Sequence, residues 1–298
     1  SLHKDTMSLR SFERAEYSRL LNSLIEQCTK ADFNDSLPRM LQRYATESHQ
    51  FYSNYIAPSL PAKTRRIVVI PDGNLHYLPL EALCTEAATE AESFAQLPYL
   101  VHKYSVSHQY AVSLWYNQLQ QKPKDVSNKM LVMAADYQVN TLAQINTDSS
   151  KSQIFRSYRP DDVRRLRPLL RPLQGTKVEL EALQQRYDGK FLVAEAANER
   201  QFKAQAADYG ILHLAMHSIV NEEDPSRANL AFTETLDTTE DNFLMAYEVK
   251  QMRLNAQLVV LSACETGFGK YEHGEGILSI ASSFLYAGVP SLITTLWQ

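Results

Sequence analysis

Two segments of this chain end in residues that could carry nucleophilic chemistry. Gly210-Ile211-Leu212-His213-Leu214-Ala215-Met216-His217 is an apolar, strand-forming run that closes on an imidazole. Gln257-Leu258-Val259-Val260-Leu261-Ser262-Ala263 is a second such run, followed at once by Cys264. A thiol of ordinary pKa is only partly ionised at neutral pH, so a nucleophilic cysteine needs an imidazole close by to take its proton. Taken singly, a cysteine at a strand end is more often a small packed hydrophobe, and a lone histidine is more often structural. The two together, each at the end of a buried strand, shift the weight to a Cys264–His217 dyad. The backbone N–H of Cys264, with N–H groups of the loop after His217, would then hold the oxyanion of a tetrahedral intermediate. By strand alternation His213 shares a face with Ala215 and His217. It reads as a buried, hydrogen-bonded core histidine, with a part in orienting the dyad as the alternative.

For the two residues to meet, their strands must run side by side in a parallel sheet. Parallel strands point their carboxyl ends to one edge, and open α/β sheets gather reactive residues there. The chain offers that alternation. Strands are expected at residues 66–70, 130–134, 191–194, 211–216, 257–263 and 291–297, with helices near 177–187, from Asn198 onward and at 277–287. Strands 66–70, 130–134, 211–216, 257–263 and 291–297 are expected to share one mostly parallel sheet. Polar or Gly-bearing loops should begin at Ser218 and run from Gly267 to Gly276. Ahead of the sheet, apolar residues recur at three- and four-residue intervals from Leu9 to Cys28 and from Leu41 to Ile56, which is the pattern of a helical hairpin closed by Pro58 and Pro61.

The 298 residues suffice for one large α/β domain or two ordinary ones, and a net charge of -4 implies no polyanion partner. Three scattered cysteines, Cys28, Cys84 and Cys264, exclude a disulfide framework and a structural zinc site, and suit a reducing, cytoplasmic setting. Cys28 and Cys84 fall in helical patterns and read as inert. The first residues, Ser1 to Arg10, are polar with no apolar core of the signal-peptide kind, and no run approaches the roughly 20 apolar residues of a membrane helix. The start at Ser1 and the stop inside an apolar run lead us to expect a longer natural chain.

Residues 140–175, with Arg156, Arg159, Arg164, Arg165, Arg167 and Arg171 among prolines and Asp161-Asp162, read as an irregular exposed insertion rather than a nucleic-acid groove. Gly267-Phe268-Gly269-Lys270 lacks the spacing of a phosphate loop. Glu265 and Glu222-Glu223-Asp224 could favour a basic substrate residue, although loop solvation is the plainer reading, and His76 and His273 read as loop histidines.

Several separate segments carry a further signal. They are Ile67-Val68-Val69-Ile70-Pro71-Asp72-Gly73 with Leu78-Pro79-Leu80-Glu81-Ala82-Leu83, then Leu173, Gly175-Thr176 and Val178-Glu179. The strongest are Leu212-His213-Leu214-Ala215-Met216-His217 and Leu261-Ser262-Ala263-Cys264-Glu265-Thr266-Gly267, followed by Gly274-Glu275-Gly276 and Ala287-Gly288-Val289-Pro290 to Leu296-Trp297. Together these segments resemble the CHAT family, caspase-related peptidase domains often fused to tetratricopeptide repeats, and the separation of His217 from Cys264 is close to the roughly 50 residues of caspases.

The resemblance implies a caspase-like α/β/α sandwich with a mostly parallel sheet behind an N-terminal helical hairpin. Residues 1–60 would be the tail of an upstream repeat array and residues 61–298 the peptidase domain, cut short at its C-terminus. It implies a cysteine endopeptidase, regulated or latent at rest, with Cys264 as nucleophile and His217, not His213, as base. Ser218, Gly267 and His213 would support the site or its oxyanion, and neither cofactor nor metal is needed. The implied partners are a protein or peptide substrate and a regulatory protein on the helical segment, with no nucleic acid and no membrane. The sequence departs from the family at Ser218, where Gly is frequent, and in ending after Trp297. It departs from the caspase run in that Gly267 stands one place later. A silent caspase-like interaction module is the alternative, and a thiol hydrolase or acyltransferase acting on small molecules is a weaker third reading.

Overall fold

The computed structural model describes residues 2–3, 6–7, 10–29, 35–88, 91–120, 128–137, 167, 170–173, 175–221, 223–235, 239–262, 270–272 and 276–294. Cys264, Gly267, Glu265 and His273 lie outside the described residues, as do 138–166 of the Arg- and Pro-bearing stretch. The chain forms two compact units, Ser1–Asn117 and Gln118–Leu296.

In the first unit, α1 (Arg14–Thr29) and α2 (Leu37–Phe51) pack on each other, and α2 runs on through a π-helical turn at Tyr52–Ile56. Leu20, Leu24 and Phe51 are buried between them, and Phe51 stacks at a tilt on Tyr55 with ring centroids 5.0 Å apart. The expected helical hairpin is therefore present. Strand β1 (Arg66–Val69) pairs in parallel with β2 (Ser105–His108), and the two form a sheet of their own. This corrects the expectation that residues 66–70 join the main sheet. A β-branched run signals a strand but not how many of its faces are covered. Here Ile67 and Val69 pack inward while Arg66, Val68 and Ile70 face out. Helix α3 (Val112–Gln120) follows.

The second unit is built on five strands: β3 (Met130–Ala134), β4 (Gly189–Val193), β5 (Ile211–Ala215), β9 (Leu258–Ser262) and β12 (Leu292–Thr294). Their order across the sheet is β12-β9-β5-β3-β4, and every pair is parallel. Strand β3 is buried at all of its positions, as a central strand with both faces covered must be. Met130, Val132, Ala134 and Ala215 pack against Leu180 of α4 (Thr176–Gln184). On the other face Leu131, Met133, Leu212, Leu214, Val259 and Leu261 meet Phe202 of α5 (Glu199–Gln205), Val249 of α6 (Ala246–Gln251) and Phe284 of α7 (Ile280–Tyr286). The result is the expected α/β sandwich with a parallel sheet. Gly189 is required where β4 starts, since a Cβ there would lie 2.1 Å from the Met130 carbonyl oxygen. Asn198 opens α5 as expected, its side chain accepting from the Gln201 N–H.

Three local readings are corrected. Residues 218–221 are not the start of a polar loop. A bend at Met216 leads directly into β6 (His217–Ile219), which pairs antiparallel with β7 (Asn229–Ala231), itself paired with β8 (Phe243–Met245), and Ile219, Val220 and Asn221 are buried. The helix expected at 277–287 is shorter. Gly276–Leu278 is strand β11, paired with β10 (Lys270–Glu272), and Ser279 caps α7 by accepting from the Ser282 N–H. Cys84 is not helical but bridges to Tyr99 as a single antiparallel pair.

Candidate active site

The geometry begins with register. Strands β5 and β9 are parallel neighbours, with His213 opposite Val260 and Ala215 opposite Ser262, so the two strands end level. The bend at Met216 delivers His217 just beyond the end of β5. Ser262, the last residue of β9, stands two residues ahead of Cys264 in the sequence.

His217 is partly buried, and its Nε2 lies 2.7 Å from the carbonyl oxygen of Arg171. A carbonyl can only accept, so Nε2 carries a proton and donates it there, which leaves Nδ1 of the neutral ring with its lone pair. Burial holds the imidazole below its ordinary pKa, with the Arg171 carbonyl pulling weakly the other way. At neutral pH His217 is therefore the neutral, proton-accepting form. Tyr137 fixes the main chain beside it. Its hydroxyl accepts from the His217 N–H at 2.8 Å and donates to the Ala231 carbonyl, and its ring centroid is 4.6 Å from that of His217. Ser218 sits opposite Leu230 in the β6–β7 ladder, and its enclosed hydroxyl has no hydrogen-bond partner among the described residues.

His213 has a different set of contacts. It is only 5% exposed, and its Nε2 donates to Glu179 Oε1 at 3.0 Å. The other carboxylate oxygen, Oε2, accepts from the Ser262 hydroxyl at 3.0 Å. Hydrogen bonding from His213 keeps Glu179 below the usual carboxylate range, with burial opposing it and Ser262 adding to it. The three groups do not form a nucleophilic triad, because the carboxylate stands between serine and imidazole and itself accepts the hydroxyl's hydrogen bond.

The Arg- and Pro-bearing stretch is not wholly an exposed insertion. Leu170 is buried, and the Arg167 guanidinium donates to the Phe232 and Asn242 carbonyls at 2.9 and 3.1 Å while lying 4.3 Å over the Phe243 ring. Arg167 thereby anchors the segment that presents Arg171 to His217. Tyr137 and the Arg171 carbonyl have no signature in the sequence, since any residue supplies a carbonyl. Glu179 stood in a recognised motif but without a partner to give it a role.

The remaining candidates are engaged elsewhere. Asp224 accepts from Ser226 and pairs with Arg227 at 2.7 Å within one tight turn. His76 lies in the turn Gly73–Tyr77, and burial lowers its pKa. Burial pushes the Cys28 thiol up to about 11 and raises that of Cys84, so both stay protonated at neutral pH. Glu199, Glu240 and Glu248 form the one carboxylate group among the described residues close enough to hold a metal. The Lys203 ammonium already fills it, at 2.7, 2.7 and 2.8 Å. Among the described residues, no helix is long and apolar enough to cross a membrane.

The chain matches no curated protein sequence. The model of the CHAT domain, by contrast, matches residues 45–298, a span that takes in β5, β9, His217 and Cys264 alike. The chain thus belongs to the CHAT domain family, a family of caspase-like cysteine peptidases.

Proposed function

We propose that this chain hydrolyses peptide bonds in a protein or peptide substrate, with Cys264 as nucleophile and His217 as its base. The observation that carries the reading is the His217 tautomer: with Nε2–H committed to the Arg171 carbonyl, Nδ1 is left to accept a proton beside the end of β5, the strand that neighbours β9. In the first step the Cys264 thiol proton passes to Nδ1 and the sulfur attacks the carbonyl carbon. The C–N bond then breaks as the imidazolium protonates the leaving amine. In the second step His217 takes a proton from water as the water oxygen attacks the thioester carbon; the C–S bond then breaks, the carboxylic acid product leaves, and the imidazolium returns its proton to the Cys264 sulfur. No cofactor enters. Ser218 and Gly267 belong to this reading as peptides near the oxyanion. A low resting activity and a regulatory partner on residues 1–60 belong to it as well, supported by the resemblance to domains fused to repeat arrays.

The test is labelling by an electrophilic peptide together with turnover of a peptide library. Cys264→Ala should abolish both, while Cys28→Ala and Cys84→Ala should leave them intact, their thiols being protonated. His217→Ala should slow the chemistry by about 10²–10⁴-fold, the usual cost of removing a positioned base. A folded Cys264→Ala protein that cut at the parent rate would sink the reading, and absence of labelling in the parent would favour a silent interaction module.

A further inference from the structure

The dyad reading says which groups react but not what fixes their strands at the reactive edge. The backbone ladder holds β5 and β9 side by side, about 4.8 Å apart, and its last pair is Ala215 opposite Ser262. One side chain spans that gap. Glu179, in the first turn of α4, takes a hydrogen bond from His213 on β5 with one oxygen and from Ser262 on β9 with the other. Ser262 is the last residue of β9, while His213 is the middle residue of β5, so the carboxylate reaches from the body of one strand to the carboxyl end of the other. The chain that supplies Glu179 also supplies the Arg171 carbonyl that takes the His217 Nε2–H. One short stretch of sequence therefore touches the strand leading to the base, the base itself and the strand leading to the nucleophile.

We infer that Glu179 is a positioning residue for the dyad, a two-pronged clamp that fixes the end of β9, and hence the approach of Cys264, relative to β5 and His217. This rests on the dyad reading. The carboxylate suits the task because it has an acceptor for each strand and because His213 keeps it ionised. The pairing of β5 with β9 runs through the backbone, and the apolar faces of the sheet pack through other side chains. The clamp's contribution is to alignment, and a misplacement of about 1 Å between reacting groups can cost on the order of 10²-fold in rate.

The test reads Cys264 directly. Full-length parent, His217→Ala, Glu179→Ala and Glu179→Gln proteins are alkylated with iodoacetamide between about pH 5 and 9, and the Cys264 peptide is followed by mass spectrometry. A thiol paired with imidazole reacts well below its ordinary pKa, so His217→Ala should lower the rate near pH 6 by about 10-fold. Glu179→Ala should lower it by a similar factor. Glu179→Gln should stay within about threefold of the parent, since an amide can accept from His213 and donate to the Ser262 oxygen. A role in stability alone would lower the melting temperature and leave the pH profile of the folded protein unchanged. If Glu179→Ala is folded and keeps the parent profile while His217→Ala loses it, the inference is overturned and the dyad stands. If His217→Ala also keeps the parent profile, the dyad reading fails and the positioning role goes with it. If Glu179→Ala does not fold, Ser262→Ala decides the matter: it removes only the β9 prong, and an unchanged profile there overturns the clamp.

Discussion

A histidine that gives its Nε2 proton to a main-chain carbonyl has its accepting nitrogen chosen before any substrate arrives. His217 is such a residue, and its burial has a consequence for stability as well as for chemistry. Its folded pKa lies below the value of the unfolded chain, so as pH falls the unfolded state takes up the proton first. The stability it contributes is fully present above the unfolded value, near 6.5, and is lost as pH falls from there toward the lowered folded value. Replacing His217 by Gln removes this linkage. Urea unfolding midpoints measured at about pH 7.5 and 5.5 should therefore fall more in the parent than in His217→Gln. An equal fall in both would show that the imidazole is not buried as described. On the proposed mechanism the same lowered pKa keeps His217 neutral further into acid, so the acidic limb of any turnover profile should lie below that of an ordinary histidine.

Among elements, the segment around Arg167 and Arg171 carries more of the site than its composition suggests. Arginines among prolines look like a solvated loop, and nothing in the sequence distinguishes an arginine facing water from one that donates to two carbonyls over a phenylalanine ring. Arg167 does the latter and so joins this segment to the ends of β7 and β8. Arg167→Ala should cost about 2–4 kcal/mol, because two buried carbonyls lose charge-assisted bonds. Arg167→Lys should recover little of that, lacking the planar fork. Chemical denaturation measures both, and a lysine variant as stable as the parent would show that charge alone suffices. The strands that lead to His217 and toward Cys264 were legible because Leu212, Leu214, Val259 and Leu261 belong to continuous apolar runs, which only a sheet covered on both faces explains. Strand β6 was not, because Ser218 and Asn221 make it read as a polar loop, and its burial depends on β7 and β8 from further along the chain. Strand β1 was assigned to the wrong sheet for a related reason, since partner choice is a tertiary property that propensity does not carry.

At the scale of the whole molecule, two buried groups give the stability of the fold opposite slopes with pH. Glu199 is 1% exposed, and burial, against the pull of Lys203, raises its pKa to about 7. For Lys203 burial alone would lower the pKa, but its three carboxylate partners raise it, so it stays charged. A carboxyl raised in the folded state binds its proton more tightly there than in the unfolded chain. Its contribution is fully present below the unfolded value, near 4.5, and is lost as pH rises to about 7. Glu199→Gln should remove that decline, so the stability difference between variant and parent should move in favour of the variant across this window. A difference that does not change with pH would place the Glu199 titration elsewhere. The sheet order has a consequence of another kind. In β12-β9-β5-β3-β4 the pairings join residues distant in sequence, Met130 with Ile211 and Ile211 with Leu258 among them, so large loops must close before any contact rewards them. A chain emerging from the ribosome carries β3 and β4 first, then β5 with His217 at its end, and only after residue 262 the strand that lies beside it. Throughout that interval of several seconds one flank of β5 has no partner. On the proposed mechanism no half-built form of this molecule would hold an aligned dyad, and a nascent chain would have no means of cutting before its own sheet is closed.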